Sequence, residues 1–179
     1  MTDLPTTENG QAVAVPYSFL DGEVTFAAAP PWYGEFDHPT VMRFEGGRAR
    51  EHVVIAADPL PVETGCENGP APADAEALAR SIMADPDFET TETVPVRIAG
   101  IDGLQIDGVV TAQWDTNWSL CYPMWTTNAQ LFRMRLYLID YPGESAQVLT
   151  IAVIAPETDF ERVLEEATPI VESLEFHPG

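Results

Sequence analysis

Two thiols and one aromatic run are the groups in this chain best suited to chemistry or recognition. Cys66 and Cys121 are the only cysteines in 179 residues. Both sit in polar, turn-rich stretches, Glu63-Thr64-Gly65-Cys66-Glu67-Asn68-Gly69 and Asn117-Trp118-Ser119-Leu120-Cys121-Tyr122-Pro123. A buried structural thiol usually has apolar neighbours. Two loop cysteines instead fit a disulfide, which forms outside the reducing cytoplasm. Two free thiols are the other reading. His38 and His52 share no metal-ligand spacing with either cysteine, so neither a metal nor any other cofactor is expected.

The stretch 114–125 holds three of the four tryptophans, Trp114, Trp118 and Trp125, together with Tyr122 and Met124. Tryptophan offers a large apolar area and one hydrogen-bond donor, which suits contact with a ligand or partner. Such residues in a loop point to recognition more than they would in a strand. The other reading is that they cap the sheet and shield a Cys66–Cys121 bridge. Trp32 and Tyr33 are candidates for the same end of the sheet. Asp115-Thr116-Asn117 lacks the later Gly and Glu of a calcium loop.

No catalytic motif emerges, and the chain reads as a non-enzyme. There is no nucleophile elbow and no glycine-rich phosphate loop. His38 follows Asp37 and His52 follows Glu51, but neither has a poised Ser or Cys to activate. Glu165-Glu166 falls on the polar side of a helix and reads as a solvated face. Arg133 and Arg135 share a strand face. They could grip a carboxylate ligand bidentately, or simply neutralise nearby Asp and Glu.

The elements that would position these groups follow from periodicity. Short apolar runs at Val24–Ala28, Thr40–Phe44 and Glu51–Ala57 read as strands. Pro30-Pro31-Trp32-Tyr33-Gly34 ends the first, and Gly46-Gly47 turns the second into the third. Ala75, Leu78, Ala79, Ile82 and Met83 form one helical stripe, with Pro86 as its stop. Val94–Ile98 carries Pro95, which places it at an edge. Gly100–Gly103 reads as a turn. Leu104–Asp107 and Val109–Ala112 read as one strand with a bulge at Gly108. Leu131–Asp140 alternates strictly, with Phe132, Met134, Leu136 and Leu138 on one face. Val148–Ala155 is apolar on both faces, as a doubly covered central strand should be. A last helix follows a Thr158–Glu161 capping box, its apolar stripe running from Phe160 to Leu174 with Pro169 inside it.

This order predicts the α+β class: a three-layer α/β/α sandwich, its mainly antiparallel sheet of about six or seven strands carrying a helix on each face. Residues 1–20 read as a flexible leader and 21–179 as a single domain. Eight Arg, no Lys and 29 Asp plus Glu give a net charge of −21. That balance excludes a phosphate-neutralising nucleic-acid face and opposes binding to anionic membrane. No apolar run reaches spanning length, so no membrane insertion by this chain is expected. Like charge also opposes self-association, and a monomer is expected.

Several strings resemble the PsbP-like sandwich: Val24-Thr25-Phe26 followed by Pro31-Trp32, the Ala57-Asp58-Pro59 loop before a Cys, the mid-chain helix, Gly100-Ile101-Asp102-Gly103, and Ser173-Leu174-Glu175-Phe176 near the end. More narrowly they are similar to actinobacterial extracytoplasmic domains of that fold, including the LpqN-type lipoproteins. The resemblance spans about residues 20–177. It implies a non-enzymatic domain, often exported or tethered, and carries over no catalytic residue. The chain departs from the lipoproteins in having no lipobox Cys near its start, and no basic, apolar export signal stands there. Either such a signal was removed, or the thiols are reduced in a cytoplasmic protein. The function expected is a non-catalytic extracytoplasmic interaction or sensing module that meets a protein partner through the aromatic loop. The alternative is a carrier of an apolar small molecule such as a lipid. A hydrolase is a distant third.

Overall fold

In the computed structural model of the chain, the residues described are 2–3, 13–19, 22–28, 32–38, 41–46, 51–57, 72–84, 88–110, 132–141, 143 and 147–177. The strands in chain order are β1 (Thr2–Asp3), β2 (Val13–Phe19), β3 (Gly22–Ala28), β4 (Tyr33–His38), β5 (Val41–Glu45), β6 (His52–Ala57), β7 (Phe88–Thr90), β8 (Val94–Ile98), β9 (Ile101–Val110), β10 (Phe132–Asp140), β11 (Val148–Pro156) and β12 (Glu175–His177). Helix α1 (Ala75–Ala84) falls between β6 and β7, and α2 (Phe160–Glu172) between β11 and β12.

Every residue of β11 is buried, which is why its sequence shows no alternation. It lies at the centre of the main sheet, whose order is β1-β4-β5-β6-β11-β10-β9-β7. β8 also pairs with β9, so β7 and β8 follow one another along the same edge. All strand pairs described are antiparallel. A second, three-stranded sheet has the order β12-β3-β2.

Strand alternation splits the core into two. One side of the main sheet carries Val54, Ala56, Ile106, Phe132, Met134, Leu136, Leu138, Val148 and Ala152, packed with Leu78 and Ile82 of α1. The other carries Val53, Ile55, Ile139, Leu149, Ile151 and Val153 under Phe160, Val163, Ala167 and Ile170 of α2. Val24 and Phe26 of the small sheet join this second core, and Phe26 meets Phe44 edge-on at 4.9 Å between ring centres. The result is the α/β/α sandwich, with the small sheet sharing the α2 layer.

Several local expectations are corrected. Tyr33 and Gly34 do not end a strand but begin β4, because Pro31 lies just outside it. β2 lies inside the stretch read as a leader. Helix α2 stops at Glu172, two residues short of the end of the expected stripe at Leu174, and β12 follows it. The bulge at Gly108 is absent: β9 and β10 keep register straight through it. The β8–β9 turn is Ala99-Gly100, both at positive φ, two residues before the expected site, and Ile98 pairs directly with Ile101. Asp159, not Thr158, precedes α2, and it makes no side-chain cap. At α1, Asp74 Oδ1 accepts from Ala77 N at 2.6 Å and Asp140 Oδ1 from Ala75 N at 2.8 Å. Met83 is largely exposed rather than part of the α1 stripe.

Candidate functional site

The register marks the end of the main sheet from which the β9–β10 connection runs. Val110 pairs with Phe132, and Phe132 pairs with Pro156. The chain between β9 and β10, which carries Trp114, Trp118, Cys121, Tyr122, Met124 and Trp125, therefore leaves and returns at this end. These six residues and Cys66 lie outside the described residues. Two steps inward, one row crosses the sheet: Tyr33, Glu45, His52, Ile154, Met134 and Gly108 are successive partners. Tyr33 and the preceding Trp32 thus belong to the same end, although 75 residues or more separate them from Gly108 in sequence. Neighbouring strands lie about 4.8 Å apart, so Tyr33 is roughly 19 Å across the sheet from Met134.

Trp32 is only 3% exposed. Its Nε1 donates to the Glu166 carbonyl at 3.2 Å, and its ring sits in the α2-side core. This fixes Trp32 as a brace between β4 and α2 and takes its ring out of any outward-facing surface. Tyr33 is placed by its backbone register alone.

The charged groups sort into pairs. Arg135 grips Asp107 bidentately, at 2.6 and 2.7 Å, and the Asp107 carboxylate holds the guanidinium pKa above its ordinary value. Burial pushes the adjacent Tyr137 phenol up as well, and the Arg135 charge opposes that shift. Arg133 bonds Glu161 at 3.0 Å and lies 4.7 Å over the Phe160 ring. Both strand arginines are thus engaged by acids of this chain, the neutralising role of the two anticipated. Glu165 is exposed, while Glu166 pairs with Arg162 at 2.9 Å, so the two form no acid–base pair.

One group was not singled out from sequence. Glu51, 2% exposed, bonds Arg162, which also reaches Asp159 at 3.4 Å. The hydrogen bonds that Arg162 donates to Glu166 and then to Glu51 raise its pKa. The cluster locks the start of β6 to the first turns of α2. Only the spacing of Asp159, Arg162 and Glu166 on one helix face hints at it in sequence; the partner 111 residues away is invisible there. Among the described residues no group of three or more His, Cys, Asp or Glu could hold a metal ion.

No family model and no curated protein matches the sequence. Solved structures do match in fold. LpqN of Mycobacterium tuberculosis, a protein involved in cell envelope biogenesis, superposes with a TM-score of 0.57 at 14% identity, over 93% of this chain and 91% of that one. A Bacteroides thetaiotaomicron protein gives 0.48 at 12% identity, over 86% and 45%. The cyanobacterial PsbP of Synechocystis gives 0.48 at 12% identity, over 97% and 98%. The fold resembles that of LpqN.

Proposed function

We propose that this chain is a non-catalytic module that works outside the cytoplasm and contacts a protein partner through the 114–125 stretch. The observation that carries this reading is the likeness to LpqN along nearly the whole length of both chains. At 14% identity the likeness is one of fold, and the functional step from it is ours. Two features lend support. Arg133 and Arg135 of β10 and Arg162 of α2 are engaged in ion pairs that fasten elements together. And the aromatic-rich connection joins β9 to β10, from the end of the sheet where Val110 pairs with Phe132. A Cys66–Cys121 disulfide belongs to the same reading, since it suits an oxidising compartment.

The test is cross-linking capture of the partner from the protein's own host, with Trp118→Ala beside the wild type. The variant is expected to lose about ten-fold or more in capture, as a buried aromatic anchor would, with its thermal midpoint within about 2 °C. A large drop in midpoint with unchanged capture would assign the tryptophan to capping the sheet and remove the recognition role. A second reading is a carrier of an apolar small molecule, and the feature that favours it is the Thr150 hydroxyl, buried in the α1-side core without a hydrogen-bond partner. Turnover of ester substrates by the pure protein would overturn both readings.

A further inference from the structure

We propose that the α2-side face of β9 and β10 is a docking surface for a basic amphipathic helix of a partner protein. This inference rests on the protein-partner reading, and adds to it a second contact face and the chemistry of the partner. Among the described residues α2 packs chiefly on β11 and on β3 of the small sheet, while α1 covers β9 and β10 from the opposite side. The α2-side face of β9 and β10 is thus left without a helix. Tyr137, Val96 and Ile98 belong to the α2-side core, so alternation turns Arg133, Arg135 and Val94 to the same side. Register sets Val109 opposite Arg133 and Asp107 opposite Arg135. These β9 and β10 side chains are half-buried, and Val94 is 51% exposed.

The space matches one helix. Helices side by side in a layer lie about 8–10 Å apart. β9 is two strands from β11, a distance of about 10 Å. With α2 over β11, the next helix position in that layer falls over β9. The small sheet and Trp32 occupy the other flank of α2. Glu161 reaches Arg133 at 3.0 Å, which identifies the flank of α2 that faces β10. Glu165 and Glu172 follow Glu161 by four and eleven residues, whole turns of a helix, and stand on that same flank. Across the trough, Glu89 of β7 lies beside Val109. Glu89, Glu165 and Glu172 are exposed and have no ion pair among the described residues, whereas Arg133 and Arg135 on the floor are already held by acids of this chain. A second copy of this chain, an anionic lipid surface and a nucleic acid all meet repulsion here, the chain carrying −21. Two acidic walls around Val94, Val109 and Leu164 complement a helix with an apolar face flanked by Lys or Arg. Glu165 and Glu172 ask for cations seven residues apart on it.

Two synthetic peptides of one composition are the probes: a helix of about 18 residues, long enough to form alone, with leucines on one face and lysines seven apart beside them, and its scramble. Binding to the full chain is followed by amide shifts in heteronuclear NMR. The amphipathic peptide is expected to give saturable shifts at Val94, Val109 and Arg133, and the scramble none there. Glu165→Lys with Glu172→Lys should weaken it about ten-fold or more. Glu23→Lys with Glu76→Lys, an equal change of charge at exposed positions elsewhere, should weaken it about two-fold or less. If the scramble binds equally, or the two double variants weaken binding alike, net charge alone attracts the peptide and the docking surface is overturned. The cross-linking capture separates this claim from the reading it rests on. Capture lost by Trp118→Ala but kept by the Glu165/Glu172 variant overturns the docking surface and leaves the protein-partner reading standing. Capture kept by both variants overturns both.

Discussion

Two arginines of this protein make ion pairs of different energetic weight. Arg162 faces Asp159, Glu166 and the buried Glu51, whereas Arg97 meets only Asp102 at 3.0 Å in the open. Removing one partner of a buried pair strands a charge in low dielectric and typically costs about 3 kcal/mol or more. Removing one partner of an exposed pair costs well under about 1 kcal/mol. Arg162→Met is therefore expected to lose about 3 kcal/mol in urea unfolding, and Arg97→Met about 0.5 kcal/mol or less. Both variants make the net charge more negative by the same amount, so the comparison cancels the global effect. Equal losses would show that Glu51 draws its stability from elsewhere. In sequence, only the spacing of Arg162 from Asp159 and Glu166 sets it apart. Its weight comes from Glu51, which reaches it through the β6–β11–α2 packing.

At the scale of elements, the strands were legible where alternation was strict and misread where glycine intervened. The β10 pattern predicted its two faces correctly, because each face meets a different helix. Gly108 and Gly103 were both read as punctuation, yet both lie inside β9. At Gly103 a Cβ would come within 2.5 Å of the Leu138 carbonyl oxygen and of Ile139 Cγ2. At Gly108 it would stay 3.3 Å or more from Phe88 and Thr90. Gly103→Ala is expected to cost about 2 kcal/mol by overpacking against a neighbouring backbone, and Gly108→Ala less than about 1 kcal/mol. Chemical denaturation of the two variants checks the order, and a reversed order would refute the close approach of β9 to β10 at Gly103. Pro95 was read correctly as an edge signal: β8 pairs with β9 alone, and a proline there removes a donor that a further strand would need.

For the whole molecule, the decisive feature is where the two cysteine-bearing connections leave the sheet. Ala57 pairs with Leu149 at one end of β11, and Phe132 with Pro156 at the other. Cys66 follows Ala57 by 9 residues and Cys121 precedes Phe132 by 11. Extended chain covers about 3.3 Å per residue, so each connection can reach about as far as β11 is long, roughly 30 Å. The disulfide is therefore sterically available, and it would tie together connections from opposite ends of one sheet. Unreduced protein from its own host is expected to be two hydrogens lighter than its sequence. Reduction should lower the thermal midpoint by about 10 °C, from a loop-closure contribution of about 4 kcal/mol. Unchanged mass would establish free thiols and move the protein to a reducing compartment.

Composition and periodicity alone determined the α+β class, the doubly covered strand at Val148–Ala155 and the two amphipathic helices, and the summed charge of −21 set the expectation against a nucleic-acid face. These are properties of local pattern and of summed charge, and neither depends on which strand lies beside which. Tertiary structure alone decided the rest. It put Trp32 into the core, made β2, β3 and β12 a second sheet, gave Glu51 its cation and left Thr150 facing an apolar wall. Each of these depends on a contact between residues distant in sequence. Such contacts are selected by burial and register over the whole molecule, and no short window of sequence encodes them.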